Sequence, residues 1–298
     1  MVTARVVRRS NPYVLVRSAR RRSELRRTDR SILPDGYQRV LHHHVRKTAG
    51  TSLNAAFRAL GGPEAVRLTG EDRARTGGDG DGDDRPDDPG RGGDRDDRVQ
   101  GSSIRANGLT FVTGATSRID EGTYFFANSH RAYYALHPPR GTFRVTILRN
   151  PATRLVSHYR YLRHLRETGL SDGPGEIELA RAEGTFEEFV RATPRRGLLR
   201  QLYMFSESFD VGEAARRIVG LDAVLFTETY PDDLSVLARR LDLPLDVHRE
   251  RTFAYTTVVT PDEVRPVLPI LADEFDLIER VARGLGRDPG PILGATPT

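Results

Sequence analysis

Lys47 is the only lysine in a chain that carries 45 arginines, and it stands in the stretch HHHVRKTAGTSL, His42 to Leu53. Ala49 and Gly50 let a ligand approach the backbone closely, while Thr48, Thr51 and Ser52 offer hydroxyls. Free amides at the start of a helix, together with the positive end of its dipole, make such a loop an anion site. A lysine adds a compact, mobile ammonium that can follow an oxygen as charge builds on it, whereas arginine's rigid fork suits static bidentate binding. The chemistry such a loop can support is the holding or transfer of a phosphoryl or sulfuryl group. A Walker A motif is excluded because it places glycine before the lysine, and the chain has no G-x-G-x-x-G either. With no cysteine there is no disulfide, thiolate metal site or cysteine nucleophile, which leaves hydroxyl, imidazole, carboxylate and amine chemistry.

A loop of this kind needs a strand before it and a helix after it. Short β-rich runs alternate with helical periods along the chain: QRVLHHHV then TSLNAAFRAL, LTFVTGA, TYFFANSH, FRVTILR then PATRLVSHYRYLRHL, and DAVLFTE then DDLSVLARRLDL. Strands separated by helices imply parallel strands with crossovers, hence an α/β fold of three layers, α/β/α, around a central, mainly parallel sheet. Ligands of such sheets bind where the carboxyl ends of the strands pass into helices. Arg149 ends one apolar strand, with Asn150 placed to cap and Pro151 favoured at the first helical position. His130 ends another, TYFFANSH.

The net charge of +5 is unevenly spread. Residues 1–30 hold ten arginines against Glu24 and Asp29, a sum of +8, and residues 71–103 hold six arginines against eleven acids, a sum of −5. The rest is nearly neutral at +2, so no nucleic-acid groove is expected of the body. Residues 71–103 are rich in Gly and Asp and poor in large apolar groups, so they cannot offset their own ordering entropy and are expected to be a disordered insertion. Residues 1–36 read as a basic, flexible arm, 37–290 as one catalytic-size domain around the insertion, and 291–298 as a tail. No window approaches the ~18 apolar residues of a membrane span and no secretory apolar core opens the chain, so the expected location is cytoplasmic.

RKTAGTSL resembles the K-T-A-G-T-S phosphosulfate loop of the sulfotransferases, most closely the branch that includes heparan sulfate 2-O-sulfotransferases and bacterial relatives. That branch usually reads H-I-P-K-T-A-G-T-S-L. His44 and Lys47 to Leu53 follow it here, while Arg46 replaces the proline and so removes a φ restraint. The resemblance extends over roughly residues 38 to 285 and implies a P-loop NTPase-like sulfotransferase fold. It also implies an arginine at a strand end and a serine eight residues on, which FRVTILRNPATRLVSHYRY supplies as Arg149 and Ser157.

What the resemblance implies is a carbohydrate-type enzyme using 3'-phosphoadenosine 5'-phosphosulfate (PAPS) as donor, with no metal and with a small-molecule or glycan acceptor. Lys47, Thr48, Ala49, Gly50, Thr51 and Ser52 would hold the phosphosulfate, and Arg149 and Ser157 the 3'-phosphate. His130 would act as general base, with Arg131, Tyr133 and Tyr134 lining the acceptor site. Arg249 and Arg251, in the late basic loop DVHRERTF, are further candidate nucleotide contacts. Arg154 and Tyr161 share the Ser157 face at helical spacing and read as structural. The run His42, His43, His44 cannot converge on one ion, because alternate strand residues point to opposite faces.

Two other readings stay open. One is an ATP-dependent phosphoryl transferase, for which Glu228 after VLFT is the only strand-end carboxylate in view; the other is a noncatalytic nucleotide-binding or interaction protein. The lone ammonium yields a test. Lys47→Arg keeps the charge, and in a sulfate-transfer assay it should lower turnover roughly 10²-fold; normal turnover would show that the ammonium itself is not needed.

Overall fold

Residues RVLHH have no helical period, and Val40 and Leu41 are fully buried on opposite sides, as expected of an interior strand of a covered sheet. A computed structural model of the chain describes residues 33–63, 65, 102–169, 175–247 and 255–295. The strands are β1 (Arg39–His43), β2 (Ser102–Ala106), β3 (Leu109–Thr113), β4 (Phe126–Ser129), β5 (Thr142–Leu148) and β6 (Ala223–Phe226). They form one six-stranded sheet in the order β2-β3-β4-β1-β5-β6. All neighbours run parallel except the β2–β3 hairpin. That hairpin turns on Asn107 and Gly108, both at positive φ (51° and 76°), the backbone that a two-residue Asn-Gly turn favours.

The helices, in chain order, are α1 (Gly50–Arg58), α2 (Thr116–Glu121), α3 (Pro151–Thr168), α4 (Glu176–Arg181), α5 (Phe186–Ala192) and α6 (Arg195–Leu198). They continue with α7 (Arg200–Phe205), α8 (Val211–Val219), α9 (Tyr230–Arg240), α10 (Pro261–Val264), α11 (Ala272–Gly284) and α12 (Gly290–Leu293). On one face of the sheet Val40, Phe126, Phe143, Val145 and Ile147 pack against Leu53, Ala56 and Phe57 of α1 and Leu234 and Leu237 of α9. On the other, Leu41, Val112 and Ala127 meet Ile119 of α2. Leu148 and Phe226 belong to a larger core with α3, α5, α8 and α11. Helices therefore cover both faces, giving the expected three layers. Among the described residues, no helix is long and apolar enough to cross a membrane.

Three expected boundaries shift. Leu33 is 1% exposed within the core of α1, so the folded body begins inside the span read as a basic arm (1–36). Ser102 and Ser103, the last residues of the expected 71–103 insertion, pair with Thr113 and Val112 in β2–β3 because the hairpin register carries the strand back to them. The remainder of that insertion lies outside the described residues. In the expected tail, 291–298, the carbonyls of Ile292 and Leu293 accept hydrogen bonds from Asn150 Nδ2 (3.3 and 3.0 Å), which ties α12 to the start of α3.

Asn150 also caps α3, its Oδ1 accepting from the Ala152 and Thr153 amides at 3.0 and 3.1 Å. Asn150→Ala removes the cap and orphans the α12 carbonyls. It should destabilise the chain by about 1–2 kcal/mol in urea unfolding, and an unchanged midpoint would show that α3 and α12 hold without it.

Candidate functional site

The crossover from β1 leads to one side of the sheet and that from β5 to the other, so a crevice opens between the carboxyl ends of β1 and β5, where such sheets bind ligands. The Lys47 loop enters this crevice from β1. Lys47 and Ala49 both take left-handed φ values, 67° and 64°, a backbone that costs a non-glycine residue roughly 1 kcal/mol or more and is concentrated at functional loops. The buried Thr48 holds the turn through its hydroxyl, which donates to the Val45 carbonyl at 2.9 Å. Ala49 is the N-cap of α1, and its carbonyl accepts from the Ser52 and Leu53 amides. The Ser52 amide, expected at the ligand, is thus already used inside the first turn. The amides of Thr48, Ala49, Gly50 and Thr51 donate to no backbone carbonyl among the described residues.

Arg149 enters from β5. Its Nη1 donates to the Lys47 carbonyl at 3.2 Å and its Nε to the Thr153 hydroxyl at 3.0 Å. Gln201 clamps its backbone from below: Oε1 accepts the Arg149 amide (2.8 Å) and Nε2 donates to the Arg149 carbonyl (3.0 Å). Burial pushes the Arg149 guanidinium pKa down, opposed by the charge of Glu228. No carboxylate lies within ion-pair distance of Arg149 among the described residues. Thr153, Ser157 and Tyr161 repeat at four-residue spacing on α3 and form one stripe. Thr153 touches Arg149, and the Lys47 ammonium stands 4.0 Å from the centre of the Tyr161 ring. Ser157 lies between them on that stripe, so the structure brings Lys47, Arg149 and Ser157 to one crevice wall.

The histidine run forms the floor. His42 and His44 share a face, with their rings stacked 4.8 Å apart, and Asn54 of α1 bridges them, Oδ1 to His42 Nδ1 at 2.8 Å and Nδ2 to His44 Nδ1 at 3.4 Å. His43 points the other way, against Tyr133 and Phe205. Gly50 is required here because a Cβ on it would fall 2.1 Å from His44 Cδ2. His130 lies beside His44, with ring centres 4.2 Å apart, and its Nδ1 is 2.8 Å from the His44 carbonyl. A carbonyl only accepts, so Nδ1 carries the proton and Nε2 of a neutral His130 is left as an acceptor.

The expected acceptor residues separate. Tyr133 is turned away from the crevice: its hydroxyl accepts from Arg144 Nη1 at 2.9 Å and its ring packs on His43 and Phe205, because a 3-10 turn (Tyr133–Ala135) rotates it towards the core. Tyr134 packs edge-on against Tyr203. The Arg131 amide donates to the Ser129 hydroxyl at 3.1 Å next to His130. Arg249 and Arg251 lie outside the described residues. Arg154, read as structural, is fully buried beside Glu274 at 3.5 Å.

Asn54, Gln201 and Glu274 are the supporting residues that sequence reading missed. No local pattern marks them, since a buried Gln or Glu on an amphipathic helix looks like any polar residue there. The chain matches no protein-family model and no curated protein.

Burial lowers the pKa of His42 to about 4 and of His43 to about 3, and holds His44 well below the usual value. An unfolded histidine titrates near 6.5, so as pH falls below that value the unfolded chain gains protons that the folded chain refuses. Stability should be full above about pH 6.5 and decline by a few kcal/mol on the way to pH 5. Urea midpoints measured across that range check this, and a flat profile would mean solvated imidazoles.

Proposed function

We propose that the chain is a PAPS-dependent sulfotransferase with a P-loop-like fold that esterifies an acceptor hydroxyl. The observation that carries the reading is the hydrogen bond from Arg149 Nη1 to the Lys47 carbonyl. It joins the two loops that the sequence motifs single out, 102 residues apart in the chain, at the one edge of the sheet where ligands of this architecture bind. The residues fit a bisphosphorylated nucleotide, since Arg149 is a half-buried cation with no carboxylate at ion-pair distance among the described residues, and such a charge favours an anionic ligand.

When bound, PAPS supplies an activated sulfuryl group. Lys47 and the amides of Thr48 to Thr51 hold its phosphosulfate end, and the ammonium neutralises charge that grows on the leaving oxygen. Arg149 and Ser157 hold the 3'-phosphate, Arg149 by its charge-assisted fork. His130 keeps Nδ1–H on the His44 carbonyl and accepts the acceptor's hydroxyl proton at Nε2, a role worth typically ~10²–10⁴-fold. The His44 ring beside it, 4.2 Å between ring centres, is held neutral by burial.

ATP-dependent phosphoryl transfer is the poorer reading. It needs an ionised carboxylate open to Mg²⁺, whereas Glu228 accepts the Asn150 amide through Oε1 at 2.9 Å and burial pushes its carboxyl pKa up. Thermal stabilisation separates the two: 3',5'-adenosine bisphosphate should stabilise the protein and ATP with Mg²⁺ should not. The opposite result ends the sulfotransferase reading. In a labelled-PAPS assay His130→Ala should lose transfer by ~10²-fold or more with bisphosphate affinity nearly unchanged, and full activity would remove His130 from the mechanism.

A further inference from the structure

Behind the Lys47 loop, on the flank of α3 next to the Ser157 stripe, lies a small cavity of about 40 Å³. Its lining includes Arg154 and His158 of α3, Glu178 and Arg181 of α4, and Arg46 of the loop. Arg196 of α6 and Arg200 of α7 complete its basic groups. The lining holds five arginines against one carboxylate, and that carboxylate is already shared, Glu178 lying 3.1 Å from Arg46 and 2.9 Å from His158. Burial works against the Glu178 charge, but His158 and Arg46 outweigh it and hold the carboxyl down to about 2.

Arg154 is the most informative member. It is 1% exposed, its Nη2 donates to the carbonyls of Gly197 and Leu198, and its ion partner Glu274, 3.5 Å away, is not part of the cavity lining. Its Nε–H is buried with no hydrogen-bond partner among the described residues. Leaving such a group unpaired is expensive. Burial first, and then the nearby charge of Arg200, press the Arg154 pKa down against the pull of Glu274. Like charges gathered around a small cavity are stabilised by an anion. A volume of 40 Å³ has room for about three waters, so it admits one compact oxyanion group and no sugar ring or nucleotide.

We propose that this pocket is a second oxyanion site, separate from the crevice of Lys47 and Arg149, that takes a single sulfate, phosphate or carboxylate group. The group is either free in solution or carried by a larger molecule whose remainder lies outside. Arg46 precedes Lys47 in the same turn and His158 follows Ser157 on α3, so the occupied pocket would brace the loop from behind. The proposal does not depend on the transferase reading.

Calorimetric titration of the full chain with inorganic sulfate tests it. Sulfate should still bind Lys47→Ala, in which the crevice has lost its ammonium, and should bind at least about tenfold more weakly to the double variant Arg196→Ala/Arg200→Ala. Both replaced side chains are partly exposed, and an unchanged urea midpoint reports that the variant is folded. Sulfate binding unchanged in the double variant, or lost in Lys47→Ala, overturns the proposal. Glucuronate and glucose distinguish the sources: displacement of sulfate by glucuronate alone supports a group carried on a larger molecule, and no displacement by either overturns that source. Failure of the bisphosphate to bind wild type would sink the transferase reading and leave the sulfate result standing.

Discussion

The parallel pairing of β1 with β5, in the register His42 to Val145 and His43 to Thr146, is the contact on which the candidate site depends. Their crossovers leave in opposite directions, so the loops that follow them have no helix packed between their ends, and Arg149 can reach the Lys47 carbonyl. A slip of one residue would reverse the facing of every side chain on β1. His42 and His44 would then leave Asn54, and His43 would enter the space below Gly50. Strand parity thus fixes the loop as much as the loop's own residues do. Gly50, which in sequence reads as a means of close ligand approach, is equally demanded by the His44 ring beneath it.

A buried polar chain extends this support across the molecule. Glu274 of α11, 0% exposed, accepts the amides of Gln201 and Leu202 and the side chain of Gln201, and lies 3.5 Å from Arg154. Gln201 in turn holds both backbone groups of Arg149. Removing one partner of a buried charged pair costs roughly 3–5 kcal/mol, because the other is left uncompensated. Rigidity of this kind suits an anion site, where the donors must already point at the ligand when it arrives. The same chain links the crevice to the arginine-lined pocket, since Glu274 lies 3.5 Å from Arg154, which lines the pocket, and holds Gln201, which holds Arg149.

Some of this arrangement was readable along the chain and some was not. Lys47 with its following small and hydroxyl residues, Arg149 with the Asn150-Pro151 helix start, and the helical spacing of Ser157 and Tyr161 are all local patterns, and each appears in the expected element. The Asn107-Gly108 hairpin is equally local, but its first strand starts at Ser102, inside the span whose Gly- and Asp-rich composition predicts an insertion. Tyr133 shows the limit of proximity in sequence: three residues after His130, it packs under the sheet because a 3-10 turn redirects it.

By itself the sequence determined the alternation of strands and helices, the composition of the loops and the faces that helical and strand periods assign. Those depend on interactions over a few residues, which repeat with the backbone's own period. Tertiary structure alone decided that β1 and β5 are neighbours and that Asn54 joins two histidines. It also decided that Gln201 and Glu274 sit behind Arg149, and that five arginines share one cavity. These contacts join residues tens of positions apart, and their partners are chosen by sheet order and burial, for which no short stretch of the chain carries a mark.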